Sequence, residues 1–239
     1  MLPPISVVIP AFNEASRIGD TLAITITYLE KESPTSEVIV INDGSTDSTG
    51  EVIRKVSAVP SSVAVRLLEN FPNRGKGAAV RTGLLNANKP LAVFFDADLS
   101  TPIEELPKVV EPIAHDEVDV AFGSRAIDRK LIGNRQPWRR EQGGRVFNLL
   151  VRVATGLPFW DTQCGFKAFR METCRPIIEA GNIIGFGFDV ELLLRAHRAG
   201  LRLREIPVRW NHHEGSKIRF VHDSLRMLRE VLSLRGDQQ

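Results

Sequence analysis

Short, nearly unbroken apolar runs alternate along the first half of the chain with longer segments whose apolar residues recur every three or four positions. The runs at 5–9 (ISVVI), 37–41 (EVIVI), 63–68 (VAVRLL), 91–95 (LAVFF) and 118–122 (VDVAF) are rich in Val, Ile and Phe and bounded by Gly, Pro, Asn or Asp. That is the pattern of buried strands. Helical periodicity falls near 15–30, 47–58, 76–88 and 103–114, with Thr46 placed to cap the second helix and Thr101-Pro102 to open the fourth. Such alternation predicts an α/β fold, a mostly parallel sheet flanked by helices and joined by right-handed crossovers. The second half is less regular. Residues 125–160 are basic and dotted with aromatics, 165–170 reads as a strand, 189–199 as a helix ended by Gly200, 201–208 as a strand and 221–235 as a last helix. Neither a repeat nor a Pro/Ser-rich linker interrupts the chain, so a single domain is expected over 1–239.

In open α/β sheets ligands bind beyond the carboxyl ends of the strands. The residues following each run are Pro10-Ala11-Phe12-Asn13-Glu14, Asn42-Asp43-Gly44-Ser45, Asn73-Arg74-Gly75-Lys76, Asp96-Ala97-Asp98 and Gly123-Ser124-Arg125. Asp96 and Asp98 would be costly side by side without a cation between them. Mg²⁺ or Mn²⁺ takes one or two carboxylates and completes its shell with substrate phosphates. A solvated Asp-rich turn is the plainer alternative. Asn42 to Asp47 would serve equally as a turn and helix cap or, through Asp43, as an acceptor for a nucleobase or ribose. The glycines around Lys76 let backbone N–H groups approach a phosphate. A Walker A loop is absent, and PAFNE in place of GxGxxG argues against a dinucleotide site.

The chain has 239 residues, 43% hydrophobic and 25% charged, which suits one sizeable core and excludes disordered and collagen-like classes. The net charge of +2 hides an asymmetry. Residues 1–122 carry 10 Lys/Arg against 17 Asp/Glu, a net of −7, and residues 123–239 carry 21 against 12, a net of +9. A cation site in one half and an anionic partner for the other would produce this, as would scattered surface charge. The two cysteines, Cys164 and Cys174, lack metal-type spacing, so no disulfide framework is expected. The first residues do not form a signal peptide, and no apolar run reaches the ~18 residues of a membrane span. A cytoplasmic protein, peripheral on the cytoplasmic membrane face or working with a membrane-protein partner, is the expectation. Residues 125–152 hold eight Lys/Arg against two acids, with Trp138, Phe147, Leu149 and Leu150 interleaved and Phe159 and Trp160 following. Together with 217–235 this composition suits segments lying in a membrane interface, or two amphipathic helices packed on the sheet. Nucleic acid would suit the basic segments too, but the acidic pair argues against it.

SVVIPAFNE, VIVINDGSTDST, NRGKGAAVRTG and FFDADLSTP together resemble the successive motifs of family 2 glycosyltransferases with the GT-A, Rossmann-like fold. FGSR, DTQCGFKAFR, GFGFDVELLLRA and the stretch from Trp210 to Lys217 are similar to the branch that glycosylates polyprenyl phosphates, dolichyl-phosphate β-glucosyltransferases in particular. Ser100 and Gln163-Cys164-Gly165 depart from the mannosyltransferase pattern, which favours UDP-glucose over GDP-mannose. The resemblance implies that Pro10, Ala11, Asn13, Glu14 and Asp43 hold the nucleoside, and that Lys76, Asp96, Ala97 and Asp98 lie at the diphosphate. Asp96 and Asp98 would bind Mg²⁺ or Mn²⁺. Residues 1–122 would then be the nucleotide-sugar half and 123–239 the acceptor half.

The implied reaction is inverting displacement at sugar C1. Metal, Lys and Arg stabilise the charge that develops on the leaving nucleoside diphosphate. A phosphate-monoester acceptor with a second pKa of about 6 is already ionised, so no general base is required. It needs cations instead, and Arg125, Arg139, Lys167, Lys217 and Arg219 are the candidates. The rival chemistry uses a hydroxyl acceptor and a carboxylate base at Asp189, Glu191 or Asp161, although Asp189 would also serve as a helix cap. His212 or His213 is a candidate third metal ligand or a polar loop residue, Cys164 a packed small residue, and Trp210 a core or loop anchor. A nucleotidyltransferase would want a Gly-rich loop after the first strand, which is missing.

Overall fold

The computed structural model describes residues 1–134, 138–212 and 220–234, without the side chains of 138–140 and 220–225. Seven strands form one sheet: β1 (Ile5–Ala11), β2 (Glu37–Asp43), β3 (Ala64–Asn70), β4 (Leu91–Phe95), β5 (Val120–Ser124), β6 (Phe166–Arg170) and β7 (Leu203–Pro207), in the order β3-β2-β1-β4-β6-β5-β7. All share one direction except β6, which is antiparallel to β4 and β5. The helices are α1 (Ile18–Glu32), α2 (Thr49–Ser57), α3 (Lys76–Leu85), α4 (Leu106–Ala114), α5 (Trp138–Thr155), α6 (Met171–Glu179), α7 (Phe188–Arg198) and α8 (Phe220–Ser233). Strand residues alternate between two cores. Val7, Ile9, Val38, Val40, Val93 and Phe95 face the layer that holds α1 and α4, while Val8, Ile39, Ile41 and Phe94 face the layer of α3, α6 and α7. Helices cover both faces, which is why the central strands read as continuous apolar runs rather than alternating ones.

The expected α/β architecture is present, with three differences. First, β1 and β2 run on to Ala11 and Asp43, so Pro10, Ala11 and Asp43 are strand residues at the sheet edge. Second, α6 occupies a stretch with no helix expected, α5 takes the amphipathic-helix alternative for the basic segment, and β6 enters the sheet in reverse. Apolar periodicity reports burial and carries no strand direction, so the reversal is invisible to it. Third, the caps lie elsewhere. Ser48 precedes α2, and the Thr46 N–H is donated to Asn13 Oδ1 at 2.8 Å. Asp189 is not the cap of α7 but its second residue, after Gly187 and Phe188. Gly200 does end α7, at φ 73°. Among the described residues no helix is long and apolar enough to cross a membrane.

Candidate active site

The ends of β1, β2 and β4 meet the start of α3 at one edge of the sheet. Asn13 takes a left-handed φ of 55°, tolerated by Asn. Its N–H is donated to Ser45 Oγ at 2.9 Å, which laces the loop after β1 to the loop after β2. Glu14 pairs with Arg17 at 2.7 Å. Asp43 is buried. Its carboxylate accepts from Asn70 Nδ2 at 2.8 Å and from the backbone N–H groups of Arg74 and Gly75 at 3.1 and 2.8 Å. Asp43 thus clamps the loop that leads into α3, a task its place in the sequence did not signal. A carboxylate offers about four acceptor positions, so this leaves room for a further donor. Gly44, at φ 70°, lets that loop close: a Cβ there would lie 2.4 Å from Asn73 N.

Lys76 opens α3 and its ammonium lies 2.6 Å from Asp96 Oδ1. Burial alone would lower the Lys76 pKa, but Asp96, Asp189 and Asp98 carry it above the ordinary value and fix a cation beside the carboxylates. The Asp96 N–H is donated to Gly165 O at 3.3 Å, and a Cβ on Gly165 would lie 2.3 Å from Asp96 Oδ2. The glycine of QCGF is therefore the surface on which the Asp96 carboxylate rests. Leu99, at φ 47°, supplies the bend that follows the pair, and Asp98 accepts the Ser100 N–H at 2.9 Å. Buried Ala97 is anchored through its carbonyl, which accepts from Thr21 Oγ1 at 2.6 Å. Two hard carboxylate donors at a strand end fit a divalent ion that draws its remaining ligands from a diphosphate. No group of three His, Cys, Asp or Glu side chains suited to a metal occurs among the described residues.

The candidates on the acceptor side are disposed differently from expectation. Arg125, at the end of β5, grips Asp161 through Nε and Nη2 at 2.7 and 2.8 Å, and its backbone N–H adds a third bond at 2.9 Å. Burial pushes the Asp161 carboxyl up, yet Arg125 holds it below its ordinary value, which suits a bonded carboxylate rather than a base. Lys167 is not a phosphate contact in this arrangement. Its side chain has 0% exposure, and the ammonium donates to Asp189 Oδ1 at 2.6 Å and Cys164 O at 2.7 Å. Its β6 position faces the α7 layer instead of the cleft. Asp189, a base in the rival chemistry, is spent on that ion pair, and burial raises its carboxyl pKa against the pull of Lys167 and Lys76. Glu191 has no exposure. It accepts the N–H groups of Asn182 and Ile183, each at 2.8 Å, and pairs with Arg195. That is a structural role.

A cavity of about 470 Å³ opens beyond Arg125, between α5 and the loops after β5 and β7. Arg125, Arg145 and Arg152 give it cationic walls, and Ile132, Leu149, Trp160 and Trp210 apolar ones. Arg152 stacks on the Trp160 ring at 4.0 Å and Arg125 on Trp210 at 5.6 Å. Trp210, expected as an anchor, is thus also a wall, and His212 stacks on it with centroids 6.0 Å apart. Arg145 and Arg152 were not among the candidates for the acceptor phosphate, although both belong to the basic segment singled out in the sequence. The side chain of Arg139 and the residues His213, Lys217 and Arg219 lie outside the described residues. Cys164 is buried as expected, its thiol pushed up to about 12 by burial.

The chain has relatives among known proteins. A model of the family described as Glycosyl transferase family 2 matches residues 6–177. A dolichyl-phosphate beta-glucosyltransferase of Dictyostelium discoideum is 32% identical over 242 residues, covering 97% of this chain and 73% of its own. Glycosyltransferase AglD of Haloferax volcanii is 34% identical over 95% of this chain, which spans only 36% of that relative's length. Among solved structures, glucosyl-3-phosphoglycerate synthase from Mycobacterium tuberculosis in complex with Mn²⁺, UDP-glucose and phosphoglyceric acid superposes with a TM-score of 0.72 at 20% identity, covering 97% of this chain and 79% of that one. At that identity the likeness concerns the fold, and it agrees with the GT-A architecture expected from the motifs. From the family match and the extent of its relatives, the chain is a glycosyltransferase and belongs to glycosyl transferase family 2.

Proposed function

We propose that this chain transfers glucose from UDP-glucose, with inversion and with the help of Mg²⁺ or Mn²⁺, to a polyprenyl phosphate presented at the cytoplasmic face of a membrane. The observation that carries the reading is the cavity beside Arg125. It joins cationic walls to apolar ones, as an anionic head on an isoprenoid tail requires. Its carboxylates are engaged: Asp161 is gripped by Arg125, and Glu141 pairs with Arg129. A hydroxyl acceptor needs a base, whereas a phosphate monoester with a second pKa of about 6 arrives ionised. The cavity therefore suits the phosphate. The relatives named dolichyl-phosphate beta-glucosyltransferase favour glucose and a dolichyl-type lipid.

In this reading Asn13 and Asp43 hold the nucleoside between the loops after β1 and β2, with Pro10, Ala11 and Glu14 shaping that edge. Asp96 and Asp98 would hold the divalent ion, which supplies Lewis-acid stabilisation to the leaving diphosphate. Lys76 sits beside them as a preformed cation, worth more in a partly desolvated site than in water. Arg125 faces the acceptor. The basic half of the chain would meet the lipid surface or a membrane-protein partner. The test is to offer labelled UDP-glucose, UDP-GlcNAc and GDP-mannose with a polyprenyl phosphate and either metal, and to count label in an organic extract. Label from UDP-glucose, in a β-linked product, is expected. No organic-soluble label from any donor overturns the lipid acceptor, and label from GDP-mannose alone overturns the sugar.

A further inference from the structure

The buried pair of Lys167 and Asp189 has no place in the mechanism above. Taking two charges out of water is costly, and apolar side chains of similar volume would often stabilise a core as well. The pair nevertheless sits in the layer directly under the donor site. Lys167 stands on β6 opposite Phe94, two residues before Asp96. Its ammonium lies 5.5 Å from the Phe94 ring centroid and donates to Cys164 O at 2.7 Å and Asp189 Oδ1 at 2.6 Å. The residue after Cys164 is Gly165, whose carbonyl accepts the Asp96 N–H and whose Cα supports the Asp96 carboxylate. The residue before Asp189 is Phe188, whose ring lies 5.9 Å from the Lys76 ammonium. One buried cation thus ties together the two segments that flank Asp96 and Lys76.

We infer that Lys167 is a positioning residue for the metal and diphosphate site: through Cys164 O it fixes the Gly165 turn on which Asp96 rests, and through Asp189 it fixes the start of α7 beneath Lys76. This rests on the reading of Asp96 as a metal ligand. Residues that orient metal ligands from behind typically govern affinity by about 10- to 100-fold when removed. The test is calorimetric titration of UDP in the presence of Mn²⁺ at varied concentration, which needs no lipid and no turnover, beside thermal melting of each protein.

Lys167→Met is expected to raise the Mn²⁺ concentration that half-supports UDP binding by about tenfold or more. Where the lone carboxylate left by that change prevents folding, Lys167→Met/Asp189→Leu removes both charges, and the same shift is expected at a melting temperature near that of the wild type. Asp189→Asn keeps an acceptor for Lys167 and is expected to leave the Mn²⁺ requirement within about threefold of the wild type, well inside the lower limit for a lost support. Folded lysine variants with an unchanged Mn²⁺ requirement overturn the inference. Failure of both to fold assigns the pair to the fold and overturns it as well. A wild-type protein that binds UDP with no dependence on Mn²⁺ instead overturns the metal-ligand reading itself, and a lipid acceptor that proves wrong leaves this measurement untouched.

Discussion

At the scale of single residues, Asp98 and Gly165 have separable tasks. Among the described residues Asp98 accepts the Ser100 N–H and is half-buried just beyond the end of its strand. Asp98→Asn is expected to lower kcat by about 10²-fold or more, the cost of losing a charge aimed at the transition state, without moving Tm. Near-normal turnover would remove Asp98 from the metal site. Gly165→Ala acts from the other side: a Cβ at 2.3 Å from Asp96 Oδ2 must displace the carboxylate. Loss of activity together with about 1–3 kcal/mol of stability, read from chemical denaturation, is the expected outcome. The two cysteines titrate late, Cys164 at about 12 and Cys174 at about 11, because burial disfavours the thiolate. Since the folded pKa values lie above those of the unfolded chain, their contribution to stability is complete below about pH 8.5 and is lost as pH rises through the folded values. A thiol reagent at pH 8 should therefore label neither cysteine until denaturant is added, and prompt labelling of the native protein would contradict the burial. The carboxylate pair and Lys76 were legible in the sequence because strand-end acids and glycine-flanked lysines are local signals. The pairing of Lys167 with Asp189, 22 residues on, was not, since a side chain's inward direction depends on where β6 inserts.

At the scale of elements, α7 shows how far local patterns reach. Its span and its Gly200 end follow from apolar period and a left-handed stop. Its acids were ambiguous: an acidic residue in a first helical turn suits the dipole, a base or a bond to a neighbour equally well. The fold resolves this for Glu191, which holds the segment before α7 through the Asn182 and Ile183 N–H groups. That segment in turn accepts the Gly77 N–H at Ile184 O, so it bears on the start of α3. Glu191→Ala strands the Asn182 N–H and the buried Ile183 N–H and removes a carboxylate from beside Arg81 and Arg195. A loss of about 3–5 kcal/mol is expected, measured as a shift in urea midpoint. A variant as stable as the wild type but catalytically dead would restore Glu191 as a base. α5 stayed one of two readings in the sequence because its dense Arg residues suit an interfacial segment as well as a packed helix, and the packed face only becomes a pattern once Phe147 and Val151 are seen to face the core.

At the scale of the whole molecule, the charge asymmetry acquires a direction. Asp43, Asp96 and Asp98 lie at the edge formed by β1, β2 and β4, and the arginines around the cavity lie beside α5. On α5, Val146, Leu149 and Leu150 are exposed at 59, 58 and 44%, close to the Arg145 and Arg152 side chains. Apolar residues outward with arginines beside them fit the boundary of an anionic bilayer, where each nearby Arg contributes about 1 kcal/mol. The last prediction follows from this surface. The protein is expected to sediment with vesicles containing phosphatidylglycerol, and the bound fraction should fall with added salt, because the attraction is screened beyond a Debye length of about 10 Å at 0.1 M. Leu149→Glu/Leu150→Glu removes two side chains worth about 1.5–3 kcal/mol each when buried and adds repulsion, so vesicle affinity should drop by tenfold or more. On the proposed placement of the nucleotide at the ends of β1, β2 and β4, UDP binding should persist in that variant. Equal binding of the wild type to neutral and anionic vesicles would refute the electrostatic part. Undiminished binding of the double variant would place the membrane contact on some face other than α5.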